Sequence, residues 1–325
     1  MSWQNVALSW ALRRWIKPNS IRGQDVAASR ALTGRVPFGA KLAKGWRVRP
    51  DPVLKGEWIE PTAPDHPARD RCILYFHGGA YIAMSARNYR TITSRLATWS
   101  DTRLFALDYR LAPEHPFPAA LDDAVAAYRA LIAAGIPPAR IVVAGDSAGG
   151  GLALSLLVAL RDAGDPLPAA GVLFSPWTDL AATGQSIIDN NESDALFFGS
   201  WVLPVAQHYL GRTPATHPLA SPVYADLTGL PPLLIQVSST EVLLDDSRRV
   251  AENAGRAGVE AILRVWPGLP HVWQFFVTFL PEARAALYEA VTFIRAAIPL
   301  ASPVEPLFTP PPADRADSVA AALDA

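Results

Sequence analysis

Short runs of apolar, β-branched and aromatic residues recur along the chain at 46–49, 54–59, 72–76, 102–108, 141–144, 171–174, 233–237 and 261–265. The later runs are almost continuously apolar, as strands covered on both faces must be. Stretches of helical character separate most of them, at 88–99, 119–134, 148–160, 243–255 and 281–298. This alternation predicts an α/β fold, a mostly parallel sheet with helices on both faces. No helical stretch divides the first two runs, so they are expected to form an antiparallel hairpin at one edge.

Two segments break the rhythm. The first 45 residues carry Trp3, Trp10 and Trp15 on a loosely amphipathic helix, and an insert over 180–224 holds Phe197, Phe198, Trp201, Leu203 and Tyr209 around Pro204. Two aromatic-rich pieces outside an α/β core can pack together as a cap. The expected organisation is an N-terminal part of the cap (1–45), a core (46–179 and 225–300), a cap insert (180–224) and a Pro-rich tail (301–325). No internal repeat is visible.

Composition narrows the function. The 325 residues include 29 basic and 30 acidic ones, a formal net charge of −1. That balance offers no basic stripe for phosphates and argues against nucleic-acid binding. An apolar fraction of 50% with 18% charged residues describes a chain that buries a large core. The single cysteine, Cys72, excludes an internal disulfide framework and a Cys-based zinc cluster, and its apolar neighbours mark it as a small core residue. Arg13 and Arg14 interrupt the first apolar stretch, so no secretory signal is read there. The uncharged run 195–211 is too short for a membrane span and is broken by Pro204 and His208. A soluble, cytoplasmic protein is expected.

The decisive chemistry lies in Gly145-Asp146-Ser147-Ala148-Gly149, a G-x-S-x-G pattern between the apolar run at 141–144 and the helical stretch at 148–160. Chance alone yields the pattern about 0.1 times in such a chain, so the strand–turn–helix setting carries the assignment. The serine of such a turn stands above the sheet on strained backbone, and side chains in place of Gly145 and Gly149 would clash as strand and helix converge. The helix N-terminus beneath adds unpaired N–H groups and a positive dipole end.

Upstream, the third strand runs into His77-Gly78-Gly79-Ala80-Tyr81. Small residues there let backbone approach a substrate and aim N–H donors at a developing oxyanion, each contributing roughly 3 kcal/mol to lowering the barrier. The N–H groups of Gly79, Ala80 and Ala148 are the expected hole, with Gly78 giving the turn its freedom. His77 is read as orienting this loop, not as the base.

Together, His77–Ala80, the segment Asp108-Tyr-Arg-Leu-Ala-Pro-Glu-His-Pro-Phe-Pro-Ala-Ala-Leu-Asp-Asp123 and Gly145–Gly150 resemble the hormone-sensitive-lipase-like branch of α/β-hydrolase esterases. The resemblance runs from about residue 46 to 298. It implies an eight-stranded sheet, a helical cap and hydrolysis of short- to medium-chain carboxylic esters without a cofactor, and it makes a homodimer reasonable. Ala80 stands where the family most often has a third glycine; the backbone donor survives that change.

In this fold the triad runs serine, acid, histidine. His271 is the one histidine after the seventh strand, in the loop Pro267–Phe276. His66, His115, His208 and His217 are read as structural or surface residues. Family members most often carry Asp-Pro-Leu-x-Asp after the seventh strand, the first acid being catalytic. Aligning on Leu243 and Asp245 places Glu241 at that position, 30 residues before His271. Glutamate serves as third member in this fold. Asp245 is the rival, although its place one helical turn further on suits capping or an arginine pair.

An apolar substrate wall is expected from Tyr81, Phe197, Phe198, Trp201 and Leu203, with Leu269 and Val272 beside the base. No H-E-x-x-H or carboxylate cluster suggests a metal. Amide, carbamate or lactone hydrolysis would use the same triad. A long-chain lipase would want a wide apolar cap face, against which the near-zero net charge argues. Receptors of this fold lack the base, and His271 is present here.

Overall fold

The structure is a computed structural model that describes residues 1–20, 25–33 and 42–299. The Pro-rich tail expected at 301–325 and part of the N-terminal segment lie outside these residues. Among the described residues, three α-helices precede the sheet, α1 (Trp3–Ala11), α2 (Lys17–Ser20) and α3 (Val26–Thr33), the first two joined through a π-helical turn at Leu12–Ile16.

Eight strands form one sheet. They are β1 (Trp46–Asp51), β2 (Gly56–Pro61), β3 (Cys72–Phe76), β4 (Arg103–Leu107), β5 (Ile141–Asp146), β6 (Ala170–Phe174), β7 (Leu233–Ser238) and β8 (Ala261–Trp266). Their spatial order is β1-β2-β4-β3-β5-β6-β7-β8. β1 pairs antiparallel with β2, and β2 antiparallel with β4; the other pairings are parallel. The edge hairpin read from the sequence is therefore present.

β3, β5 and β6 are buried along their whole length, which is why their sequences show no alternation. Opposite faces of these strands feed two apolar clusters. Leu74, Val143 and Leu173 point to one side, where α5 (Ala119–Ala133) and α6 (Ala148–Ala163) pack; Ile73, Val142 and Val172 point to the other, against α4 (Arg90–Ser100) and α10 (Pro281–Ala297). Cys72 is fully buried.

The insert between β6 and β7 contains α7 (Ser186–Asp189) and α8 (Val202–Leu210), and α9 (Leu244–Arg256) follows β7. The N-terminal segment meets the insert directly: an Arg13 guanidinium N–H donates to the Ser193 carbonyl at 2.7 Å. The ammonium of buried Lys17 donates to the carbonyls of Asn191 and, at 2.9 Å, Asp194. No described helix is long and apolar enough to cross a membrane.

Candidate active site

Ser147 sits at the carboxyl end of β5, where the strand must turn at once into α6. Its backbone holds φ 52° and ψ −122°, a conformation that costs free energy for any residue with a Cβ. Three hydrogen bonds hold it there. The Ser147 N–H donates to Phe174 O at 2.9 Å, and its carbonyl accepts from Gly151 N at 3.1 Å and Trp177 N at 2.9 Å. The flanking glycines are required by space. A Cβ on Gly145 would lie 2.2 Å from Gly149 O, and one on Gly149 only 2.1 Å from Phe76 O.

The β3 loop lies alongside. Backbone φ is positive at Gly79, Ala80 and Tyr81 in succession, which turns the chain sharply. Among the described residues, the N–H groups of Gly79, Ala80 and Ala148 donate to no protein acceptor, whereas the Gly78 N–H donates to Asp146 Oδ1 at 3.1 Å. Gly78 is thus a fixed point of the loop. Asp146 ties the serine turn to it, and also accepts from the Tyr75 hydroxyl at 2.8 Å. Burial raises the Asp146 carboxyl to about 7.

His77 does what its neighbours allow. It is buried, stacked 4.3 Å from the Tyr109 ring, and its Nδ1 pairs with Gly78 O at 2.6 Å. Burial lowers its pKa to about 4, so the ring is neutral and braces the loop.

His271 and Glu241 meet on the far side of the turn. His271 Nδ1 and Glu241 Oε2 are 2.5 Å apart, both side chains buried. Glu241 Oε1 accepts from Ser238 N at 2.7 Å and from the Ser175 hydroxyl at 2.8 Å. All the hydrogen bonds of this carboxylate therefore converge on holding one imidazole. His271 Nε2 is buried and pairs with nothing among the described residues. Burial disfavours the imidazolium, but the Glu241 charge and hydrogen bond outweigh it, so the His271 pKa is raised. Burial pulls Glu241 up as well, against the attraction of the imidazolium; the two groups titrate as a pair.

Asp245 is elsewhere. Its Oδ2 accepts the Ser186 N–H at 2.8 Å, and its own N–H donates to the Ser186 hydroxyl at 3.0 Å. It joins α9 to the insert and does not touch the imidazole.

Beside Ser147 is a cavity of about 10 Å³ lined by Trp177, Phe197, Trp201, Val202, Val242 and Leu243, room for about one water. Of the expected wall, Phe197 and Trp201 are there, stacked at 4.8 Å, and Phe197 meets the His271 ring edge-on at 5.1 Å. The other five lie outside it, each for a local reason. Tyr81 stacks on Tyr209 at 3.7 Å and is taken up in packing the loop against α8. Phe198 lies under the Lys17 ammonium, 4.4 Å from the ring centroid. Leu203 is exposed on the outer side of α8. Leu269 and Val272 are buried in the core on the α10 side of the sheet.

Sequence reasoning missed Asp146, Ser175, Trp177 and Asp194. Asp194 is buried, and its Oδ1 accepts the N–H groups of Leu196 at 2.7 Å and Phe197 at 3.0 Å. Asp146 had a signal, since a charged residue in an otherwise apolar strand end needs partners. Asp194 had none beyond its place before Ala195 and Leu196.

An alpha/beta hydrolase fold family profile matches residues 73–275. An acetyl-hydrolase of Streptomyces hygroscopicus is 48% identical over 241 residues, covering 74% of this chain and 79% of that protein. An esterase of Acinetobacter venetianus is 36% identical over the same length, covering 74% and 78%. Among solved structures, an esterase from the bacterial hormone-sensitive lipase family shares 45% identity at a TM-score of 0.78, covering 84% of this chain and 91% of that one. An esterase/lipase from an uncultured bacterium shares 38% at a TM-score of 0.84, covering 92% and 99%. The chain belongs to the α/β-hydrolase family, in its hormone-sensitive-lipase-like esterase branch.

Proposed function

We propose that the protein is a serine carboxylesterase acting on short- to medium-chain esters, with Ser147 as nucleophile, His271 as base and Glu241 as acid. The observation that carries this reading is the buried His271–Glu241 contact, which commits Nδ1 to the carboxylate and leaves Nε2 for the serine proton. Neutral His271 takes the Ser147 proton as Oγ attacks the ester carbonyl. Charge developing on the carbonyl oxygen is met by the N–H groups of Gly79, Ala80 and Ala148, which need not reorganise to receive it. The imidazolium, stabilised by Glu241, protonates the leaving alcohol. Water deprotonated by the same nitrogen then releases the acid and restores Ser147.

The small cavity supports a short acyl group, and Phe197 and Trp201 form its wall. Larger acyl groups require those rings to move. The N-terminal segment and the insert serve as the cap. A cytoplasmic location agrees with the lone, buried Cys72, and a homodimer follows from the family resemblance; fractionation and light scattering test these two.

Initial rates on p-nitrophenyl esters from acetate to palmitate, with Ser147→Ala alongside, test the reading. Rates that peak at short chains and vanish in the variant are expected. No turnover at any length, or undiminished turnover by the variant, overturns it.

A further inference from the structure

The N-terminal segment turns its largest apolar side chains outward. Asn5, Ser9 and Lys17 are buried, while Trp3, Val6, Trp10 and Trp15 are 76%, 60%, 59% and 56% exposed. A surface helix of a globular protein normally turns its apolar side to the core. Here Leu8 and Leu12 share the inward side with Asn5 and Ser9, whose polar groups are satisfied, while the tryptophans stay outside. The Asn5 amide donates to Gly268 O at 2.9 Å, the Ser9 hydroxyl donates to Asn5 Oδ1 at 3.1 Å, and the Lys17 ammonium sits on the carbonyls of the insert. Trp3, Val6 and Trp10 fall at i, i+3 and i+7, one stripe along the helix. Trp15 extends it, its ring edge-on to Trp10 at 5.1 Å.

The charge on this segment is one-sided. Residues 1–20 contain Arg13, Arg14 and Lys17 and no acid, in a chain whose net charge is −1. Arg14 is exposed and pairs with no acid among the described residues. Of the acids beside the segment, Glu282 is taken by the Ser2 N–H at 2.6 Å and hydroxyl at 2.8 Å, and the Glu192 charge acts on Lys17.

We propose that this face docks on an anionic phospholipid bilayer, with α1 lying flat in the interface. Tryptophan favours the boundary between headgroups and acyl chains. Arginine can lay its stem along apolar surface and pair its guanidinium with lipid phosphate. A second copy of the chain is a poorer occupant, because a self-complementary contact would bring cations and no acids to the same interface. Docking is peripheral, since no described helix can span. The inward side of α1 touches Gly268, three residues before His271 in the chain, and Arg13 and Lys17 just beyond it hold the insert that carries Phe197, so a docked molecule holds its cap side toward the bilayer.

Cosedimentation of the full chain with large vesicles tests this. Binding to phosphatidylglycerol–phosphatidylcholine vesicles is expected, falling about tenfold on phosphatidylcholine alone or in about 0.5 M salt. Trp3→Ser/Trp10→Ser and, separately, Arg14→Glu are each expected to weaken it about tenfold, with turnover of soluble p-nitrophenyl acetate unchanged. Arg14→Glu alters only an exposed side chain, so its result stands even if the tryptophan variant folds poorly. The proposal is overturned by no vesicle binding, by equal binding of all variants, or by light scattering in which Trp10→Ser merely converts a dimer to monomer.

Discussion

Asp194 Oδ2 accepts the main-chain N–H of Val242, the residue after Glu241, at 3.0 Å. Its other oxygen holds Phe197 against His271, so one buried carboxylate sets both the acid turn and one wall of the cavity. Neighbouring groups grip the same turn: the Asn190 amide donates to Glu241 O at 2.7 Å, and the Ser193 hydroxyl to Thr240 O at 3.2 Å. Lys17 closes this bracket from the N-terminal side. The insert and the acid–base pair are therefore one mechanical unit.

Asp194→Asn tests that unit. The two carboxylate oxygens accept three backbone N–H groups, and an amide must point its own donor at one set of them. A loss of roughly 1–3 kcal/mol in stability is expected, together with a lower kcat. Because the Asp194 charge raises His271, the acidic limb of kcat/KM should also move to lower pH. A variant that loses stability while its pH profile stays fixed would reduce Asp194 to a packing role.

Much of this was legible beforehand, for identifiable reasons. The strands announced themselves because β3, β5 and β6 are buried on both faces, and Gly145–Gly149 because only that spacing lets strand and helix converge. The rest depended on orientation, which periodicity does not supply. A helical period shows that α1 has two faces and not which one turns inward. Phe197 and Phe198 are neighbours of one type, yet one meets His271 and the other Lys17. Asp194 sits in a short polar turn whose partners on the acid turn, Thr240, Glu241 and Val242, are 47 or more residues away, beyond any local pattern.

The pH dependence of catalysis follows from His271. Only the neutral imidazole can take the serine proton, and its pKa is raised above the ordinary 6.5. The rate should therefore climb with pH through a midpoint above 6.5, measured as kcat/KM. In Glu241→Gln the partner charge is gone while burial remains, so residual activity should titrate at lower pH than the wild type. A wild-type midpoint at or below 6.5 would contradict the assigned pairing.

Glu241 and Asp245 are separable by the same neutralising change. Glu241→Gln removes the anion that stabilises the imidazolium and is expected to lower kcat about 10³–10⁴-fold. Asp245→Asn affects only the link to Ser186 and a 3.4 Å contact with Arg248, so kcat should stay within about threefold while stability falls by about 1 kcal/mol. The reverse ranking in kcat would transfer the acid's role to Asp245.

Stability should carry its own pH signature, from Asp246. This buried carboxylate accepts Thr178 N at 2.7 Å and Asp179 N at 2.8 Å on Oδ2. Burial, then the nearby Asp179 charge, raises it to about 8. An unfolded aspartic acid titrates near 3.9. Between those values the folded chain holds a proton that the unfolded chain has released, so raising the pH favours unfolding. The contribution is complete below about pH 4 and is lost as pH climbs through about 8. In Asp246→Asn the amide carbonyl can still accept both N–H groups, and the side chain no longer titrates. Thermal unfolding at pH 5 and pH 8 should therefore show wild-type Tm falling several degrees more than that of the variant. Parallel falls in both proteins would mean that Asp246 is ionised in the folded state across this range.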